Sequence, residues 1–356
     1  MASEFVSVWE DINAPSYELN AANLCAISPH LIYIGKQYIN PVEGQKQRLS
    51  IAGGTTFKII NNGVHRLYRV NNDIVFNPAS LLDEGSDLEN GVDYNIYIVV
   101  DNGSTANLVV SKNITFPNGA NADNSRRIGG FHTLCADIGT LLNTNSHPLY
   151  GFMAKDILPQ SCWDLINRPY CNPAGMVKSF KLPVWYDIYF SSGDNNALVS
   201  KYNGTIRHSI DFDTTEYLLS LQGKKLLDDT EFTDMSYTSD NFIPNVNFPV
   251  TTGGYINSTS GRRVVSFIGC EEATGVMQVY LRNMSSYMTL KGDTNSPTWV
   301  NINNLGMQIK PTYLNSAGLG SGNFPNGIFS RSPINTRLIG YTNTGIRGCC
   351  NSITVI

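Results

Sequence analysis

The residues best able to carry out covalent chemistry are seven cysteines, two of them adjacent near the end of the chain. Cys349 and Cys350 occur in the stretch "GIRGCCNSITVI". A reactive site, a metal or redox pair, and two thiols of a closing strand all fit this local sequence. The cysteine count is odd and no Cys-x-x-Cys occurs, so neither a disulfide framework nor a zinc site is indicated. We expect mostly reduced, buried thiols.

Two aspartate pairs and two of the five histidines are further candidates for chemistry. The pairs at positions 211/213 and 228/229 fall where helices are expected to begin, and helix capping accounts for acidic residues there. His132 and His147 have no acidic or cysteine partner at ligand spacing, which favours structural roles. No Gly-x-Ser-x-Gly elbow occurs. These patterns predict a protein that is not an enzyme.

Composition and charge exclude two classes of partner. Charged residues make up 15% of the chain and the net charge is −4, with no cluster of lysine and arginine beyond adjacent pairs. Nucleic-acid binding requires a basic surface, so we expect none. No apolar run approaches the roughly 20 residues of a membrane span, so we expect no membrane insertion. Abundant Asn, Ser, Thr and Tyr are typical of surfaces that bind through neutral hydrogen-bonding groups.

The elements that would position these residues are short strands in the N-terminal part of the chain. Stretches rich in Ile, Val, Tyr and Phe alternate with Gly, Asn and Pro turns, as in "TTFKIINNG" and "DYNIYIVVDNG". This spacing predicts an antiparallel β-sandwich-like domain over residues 25–145, preceded by residues 1–24 as a separate segment. Gly129 and Gly130 are expected to allow a sharp bend.

The remaining residues, 146–356, are predicted to form a second domain that mixes strands with two helices. "VWYDIYF" and "RRVVSFIGC" are strand-like. Thr214 or Thr215 can cap the first helix, which would place Tyr217, Leu218 and Leu221 on one face. An aspartate of the 228/229 pair can cap the second helix. The fold class predicted for the whole chain is therefore α+β.

Several stretches occur in an order that matches a known family. These are, in chain order, "DYNIYIVVDNG", "SRRIGGFHT", "WDLINRPYCNPAGMV", "VWYDIYF", "GKKLLDDTEF" and "GIRGCCNSITVI". Together they resemble the tropism-determinant proteins of phage tail fibres over residues 25–356. The resemblance implies a C-terminal C-type lectin fold over residues 146–356, in which "GIRGCCNSITVI" is the closing strand. The chain departs from the family after "SFIGC", where a Trp-rich stretch is replaced by "EEATGVMQVYLRN".

The resemblance also implies a function and a set of partners. Family members are virion proteins, located at the tail fibre or tail tip, that attach the phage to a host cell-surface receptor, which is a protein or a glycan. They are typically homotrimers joined to other virion tail proteins. In several members a diversity-generating retroelement varies the loops that bind the receptor. Loops on a rigid scaffold tolerate such variation.

The predicted receptor face lies within residues 313–344. Matching the chain backwards from "GIRGCC" places five residues between 335 and 344 near positions that vary in the family, and three residues of the preceding loop, between 323 and 326, are the next candidates. These receptor-binding candidates are Asn323, Phe324, Asn326, Asn335, Arg337, Tyr341, Asn343 and Thr344. Tyr and Arg are effective interface anchors and Asn is an adaptable polar contact, although Asn-Gly and Asn-Pro steps also suit turns.

Three alternatives stay open from the sequence. A structural tail or baseplate protein would bind only other virion proteins. A formylglycine-generating oxidase shares the C-type lectin scaffold and holds copper on a cysteine pair, which Cys270 with Cys349 or Cys350 could imitate. Calcium-dependent sugar binding lacks its usual Glu-Pro-Asn or Gln-Pro-Asp motif. We expect no cofactor, and leave open a structural divalent cation such as calcium at "SSGDNN" or near Asp293.

Overall fold

Short antiparallel strands account for most of the secondary structure in the computed structural model. The described residues are 5–10, 37–61, 64–101, 105–142, 146–194, 197–240, 251–257, 260–274, 276–285, 288–290, 300–301, 307–309, 313–317, 331–334 and 344–353. They divide into two compact units. Unit 1 comprises Met1–Cys135, Ala154–Arg168 and Ile353–Ile356, and unit 2 comprises Ala136–Met153 and Pro169–Ser352.

Three antiparallel sheets form unit 1. Its strands are β1 Phe5–Glu10, β2 Ile39–Val42, β3 Gln45–Ile51, β4 Thr56–Asn61, β5 Val64–Val70, β6 Ile74–Phe76, β7 Asp93–Val100, β8 Ala106–Ser111, β9 Ser125–His132 and β10 Trp163–Asp164. Short 3₁₀ helices span Pro78–Leu81 and Pro159–Ser161. The sheet orders are β1-β5-β4, β2-β3-β6 and β10-β9-β7-β8. Alternating apolar side chains from these strands form one core, as in β3, β6 and β7.

The segment Ala154–Arg168 belongs to unit 1. The sequence analysis instead placed the boundary between the two domains after residue 145, which would assign this segment to the second domain. The buried carboxylate of Asp164 explains the difference. Its Oδ2 accepts hydrogen bonds from the backbone N–H groups of Tyr38 (2.6 Å) and Ile39 (3.1 Å). A buried carboxylate needs such donors, and here they lie more than 120 residues away in sequence. Strand β10 therefore joins the unit 1 sheet next to β9.

Gly129 and Gly130 lie inside strand β9 rather than at the predicted bend. Their missing side chains permit a close approach between strands instead. A Cβ atom on Gly129 would collide with the backbone oxygen of Trp163 and the Cδ1 atom of Ile39. A Cβ atom on Gly130 would meet the backbone oxygen of Tyr94 and the Trp163 indole. Glycine at both positions therefore allows β10 to pair with β9.

We expect Gly129→Ala to destabilise the protein by about 2 kcal/mol or more, because its Cβ must displace backbone atoms. Urea unfolding measured by far-UV circular dichroism tests this. Gly44→Asn is the matched control, since a Cβ at Gly44 meets no atom within 4 Å and asparagine tolerates its φ of +71°. Equal midpoints for Gly129→Ala and the parent chain would contradict the expectation.

Unit 2 contains four small sheets and two helices in its described residues. Its strands are β11 Met176–Lys178, β12 Val184–Asp187, β13 Ser191–Gly193, β14 Leu198–Ser200, β15 Lys225–Leu226, β16 Gln278–Ser285, β17 Met288–Leu290, β18 Val300–Asn301, β19 Met307–Ile309, β20 Tyr313–Ala317, β21 Arg331–Ile334, β22 Thr344–Gly345 and β23 Gly348–Asn351. The sheet orders are β11-β12-β23-β15, β13-β14, β21-β20-β16-β22 and β17-β19-β18. The stretch "RRVVSFIGC" was predicted as a strand but forms only isolated bridges.

The two predicted helices are present as α1 Phe212–Leu221 and α2 Asp229–Met235. The cap of α1 is Asp211, not Thr214 or Thr215; its carboxylate accepts a hydrogen bond from the Thr214 N–H. Asp228 caps α2 in a capping box with Glu231. The predicted apolar face of α1 is wrong, because Tyr217 and Leu221 are exposed; the buried residues are Phe212, Thr215, Leu218 and Leu219. Neither helix in the described part of the chain is long and apolar enough to span a membrane.

Candidate functional site

The adjacent cysteines lie in β23, the strand that closes the main sheet of unit 2. Cys349 pairs with Tyr186 of β12 on one side and Lys225 of β15 on the other. Cys350 pairs with Trp185 of β12. Both side chains are buried, at 0% and 3% exposure. Of the three interpretations of this cysteine pair, two thiols of a closing strand is therefore the one that fits the observed packing.

Burial and hydrogen bonding set the chemistry of these thiols. The pKa of Cys349 is raised by burial and by the nearby Glu231 carboxylate, so its thiolate is disfavoured. Burial raises the pKa of Cys270 to about 12. Cys350 differs, because hydrogen bonding from Cys171 lowers its pKa to about 6; the Cys171 N–H lies 3.2 Å from its sulfur. Its near-complete burial nevertheless separates this sulfur from bulk solvent.

No metal site is evident where the structure describes the chain. The described residues include no group of three or more His, Cys, Asp or Glu side chains that could hold an ion. Asp194 of the "SSGDNN" stretch accepts a hydrogen bond from the Ala197 N–H at 3.0 Å, and Asp293 lies outside the described residues. His132 and His147 are both buried; His132 contacts Asp93 at 2.9 Å, and burial lowers the pKa of His147 to about 4. Sequence reasoning missed Asp93 because the pairing is not local.

A buried arginine, Arg347, fixes the start of the closing strand. Its side chain is fully buried, and its Nη1 donates hydrogen bonds to the backbone oxygens of Asp187 and Ile188 at 2.8 Å each. Its Nη2 donates to the backbone oxygen of Glu271 at 2.5 Å. The guanidinium also lies 4.4 Å from the ring centroid of Phe190. Arg347 therefore satisfies three carbonyl groups of two different segments at once.

We expect Arg347→Met to destabilise the protein by at least about 3 kcal/mol, because three buried carbonyl oxygens would each lose one hydrogen-bond donor. Urea unfolding followed by tryptophan fluorescence measures this change. Arg282→Met is the control: that arginine is largely exposed and pairs with Asp228 at the surface, so its loss should cost less than about 1 kcal/mol. Similar losses for both variants would show that Arg347 is not the structural centre of unit 2.

Two neighbouring glutamates next to Arg347 are both buried but differ in their partners. Glu271 forms a two-pronged ion pair with Arg263, with both N–O distances at 2.8 Å. Glu272 has one oxygen bonded to the Gly253 N–H at 2.8 Å, while its Oε2 has no hydrogen-bond partner. Burial, together with the neighbouring Glu271 charge, raises the pKa of Glu272 to about 8. Glu272 is therefore protonated in the folded protein at neutral pH.

A raised pKa makes stability depend on pH in a defined direction. Between the ordinary glutamate value of 4.5 and about 8, the folded state binds more protons at Glu272 than the unfolded state. The contribution of Glu272 to the free energy of unfolding is therefore fully present below pH 4.5 and is lost as the pH rises through about 8. We expect Glu272→Gln, which keeps the carbonyl acceptor for Gly253, to be more stable than the parent at pH 9 and no more stable at pH 5. Urea unfolding at pH 5, 7 and 9 checks this; parallel pH curves for the two proteins would refute it.

The predicted receptor face falls between strands of a single sheet. In sequence, Asn323, Phe324 and Asn326 lie between β20 and β21, and Asn335, Arg337, Tyr341 and Asn343 lie between β21 and β22. All seven residues are outside the described part of the chain. The eighth, Thr344, begins β22, which pairs in parallel with β16. Thr344, the one candidate among the described residues, is 1% exposed, which leaves its side chain little surface for contact with a partner.

These features define a class of protein: the described residues form a mostly β protein of two units, with two short α-helices in unit 2. The model for a protein family described as the Mtd second domain matches residues 42–164. Comparison with curated proteins finds no match.

The fold resembles solved structures of the Major Tropism Determinant. The M1 variant is 19% identical in sequence, with a TM-score of 0.68, and the alignment covers 92% of this chain and 87% of that one. The U1 variant gives the same identity and TM-score, covering 91% of this chain and 86% of that one. The P3c variant gives a TM-score of 0.68 at 19% identity. The resemblance inferred from the sequence is therefore confirmed, and the chain is Mtd-like in fold, with few helices.

Proposed function

We propose that this protein is a phage receptor-binding protein that attaches the virion to its host through the loop-built face within residues 313–344. The single observation that carries the proposal is the fold, which matches tropism determinants over 92% of the chain. In this proposal residues 146–356 form the C-type lectin-like receptor-binding domain, after a β-sandwich-like domain over residues 25–145. Residues 1–24 form the attachment segment.

The described strands that precede and follow the candidate segments in sequence support this proposal. Both segments that carry candidate contacts connect strands of the sheet β21-β20-β16-β22. Three residues after β22 begins, the buried Arg347 binds carbonyl groups of β12 and of the segment around Glu271. Because Arg347 anchors the chain that follows the face, residues of the face can be substituted without altering the core.

The proposal includes finer features that follow from the family. The protein would be a homotrimer at the tail fibre or tail tip, joined to other virion tail proteins, and several weak receptor contacts would then act together. The receptor would be a host surface protein or glycan, and a retroelement could diversify the face. Adhesion of this kind involves no covalent chemistry and no cofactor, and a divalent cation would serve only to order a loop.

We expect the purified protein to bind intact host cells, and the variant Asn335→Ala/Arg337→Ala/Tyr341→Ala/Asn343→Ala to bind at least tenfold more weakly, because interface anchors carry most of the affinity. A control variant removes the same residue types at exposed positions elsewhere: Arg48→Ala, Asn71→Ala, Asn72→Ala and Tyr170→Ala. Flow cytometry with labelled protein measures binding, with and without EDTA. Circular dichroism confirms that each variant is folded.

The outcomes separate the proposed function from its alternatives. Binding that is lost only in the first variant supports the proposed face, and insensitivity to EDTA argues against a required cation. Equal binding by both variants would move the receptor site elsewhere. If the parent chain binds no cells but binds purified tail proteins, the structural-protein alternative replaces the proposal.

A further inference from the structure

A polar cleft in unit 2 has a volume of about 570 Å³ and is not used by the features described above. It lies between the end of β13, at Ser192 and Gly193, and the segment that follows β14, which contributes Lys201 and residues 203–208. This volume falls in the range of roughly 300–1,000 Å³ that is usual for small-molecule sites. Ile206 is the one large apolar side chain among the lining residues, and it is buried. An apolar ligand would find little complementary surface here.

The backbone that forms the cleft is held in place by the buried residue Thr252. Its hydroxyl donates a hydrogen bond to the Lys201 carbonyl at 2.6 Å and accepts one from the Gly204 N–H at 2.9 Å. The Thr252 backbone exchanges two further hydrogen bonds, with Asn203 and Gly204. A Cβ atom on Gly204 would collide with the Ser192 hydroxyl, so glycine is required at this position. The cleft therefore has a pre-formed floor, which reduces the entropy cost of binding a ligand.

The charge of the cleft is opposite to that of the whole protein. Lys201, Arg207 and His208 line it, and none of the described lining residues is acidic, although the net charge of the chain is −4. An anion entering the cleft would meet cationic groups with no competing carboxylate in the lining.

The geometry points to this cleft as a binding site for an acidic sugar, that is, a sugar unit that carries a carboxylate or a phosphate. Arg207 and Lys201 would bind the anionic group, since guanidinium and ammonium groups form strong charge-assisted hydrogen bonds with both anions. The amide of Asn203 and the hydroxyls of Ser192 and Thr205 would bind sugar hydroxyl groups. A polar lining of this kind suits a polyhydroxylated ligand better than a bare inorganic anion.

The position of the cleft in the chain connects it with the predicted receptor face. His208, at the end of the lining segment, forms a β-bridge with Gly345 of β22, two residues after the candidate contact Asn343. An acidic sugar bound in the cleft would therefore lie beside the strand that ends the face. The inference that this sugar belongs to a host receptor rests on the proposed function, whereas the binding of an acidic sugar in the cleft does not.

Ligand-observed NMR titration of the full chain tests the inference with three probes: galacturonate, glucose 6-phosphate and uncharged galactose. We expect one or both acidic sugars to bind at least tenfold more tightly than galactose, with affinity falling as salt is added. The preferred acidic sugar identifies whether the anion is a carboxylate or a phosphate. The variant Lys201→Gln/Arg207→Gln should lose at least tenfold in affinity for that sugar. The variant Arg48→Gln/Arg69→Gln, which removes two exposed charges from unit 1, should retain it.

A second variant protects the test against misfolding. Lys201 is exposed, so Lys201→Glu alone should leave the fold intact while placing an acidic group in the cleft, and it should abolish binding of the acidic sugar. The inference is overturned if neither acidic sugar binds, if galactose binds equally well, or if Lys201→Glu has no effect. Cell binding by the parent chain is measured in parallel. If the chain binds cells but no acidic sugar, only this inference is refuted. If the chain binds the acidic sugar but no cells, only the proposed function is refuted.

Discussion

The fully buried guanidinium of Arg347 is the interaction on which the rest of unit 2 depends. It joins the start of the last described strand to the end of β12 and to the segment at Glu271, by donating hydrogen bonds to three backbone oxygens. Asp187 adds to the same junction through its side chain, which accepts hydrogen bonds from the Gly348 N–H at 2.9 Å and from Lys224 at 2.5 Å. With so little regular secondary structure, unit 2 obtains much of its order from hydrogen bonds between buried polar groups such as these.

Local sequence signals predicted the elements that depend on local physics. The strands at "TFKIIN" and "DYNIYIVV" occur as expected, since alternating β-branched and aromatic residues favour strands in most contexts. Both helices were also predicted, but the cap of α1 was placed three residues too late. The carboxylate of Asp211 competed successfully with the hydroxyls that follow it, because Asp is at least as good a cap as Thr.

Features that depend on distant residues were not predictable in this way. Nothing near Gly129 indicates that Trp163 will pack over it, and nothing near Asp164 indicates that Tyr38 supplies a hydrogen-bond donor. The receptor candidates came from resemblance to a family, not from any physical signal at Asn335 or Tyr341. The cleft at Lys201 was overlooked because Lys201 and Arg207 are ordinary in sequence and become notable only when the fold brings them together in one cleft lining.

The place of β23 in its sheet makes the gene sensitive to its reading frame. Residues Gly348–Asn351 lie between β12 and β15, so the sheet stays incomplete until translation has passed residue 351. A frameshift anywhere within residues 313–344 would replace Arg347 and both cysteines, and the unit would lose its central strand with its anchor. Base substitutions in that stretch leave the anchor intact. A shift of reading frame in that stretch would therefore prevent unit 2 from completing this sheet, whereas a change of side chain before Thr344 would leave β23 and Arg347 in place.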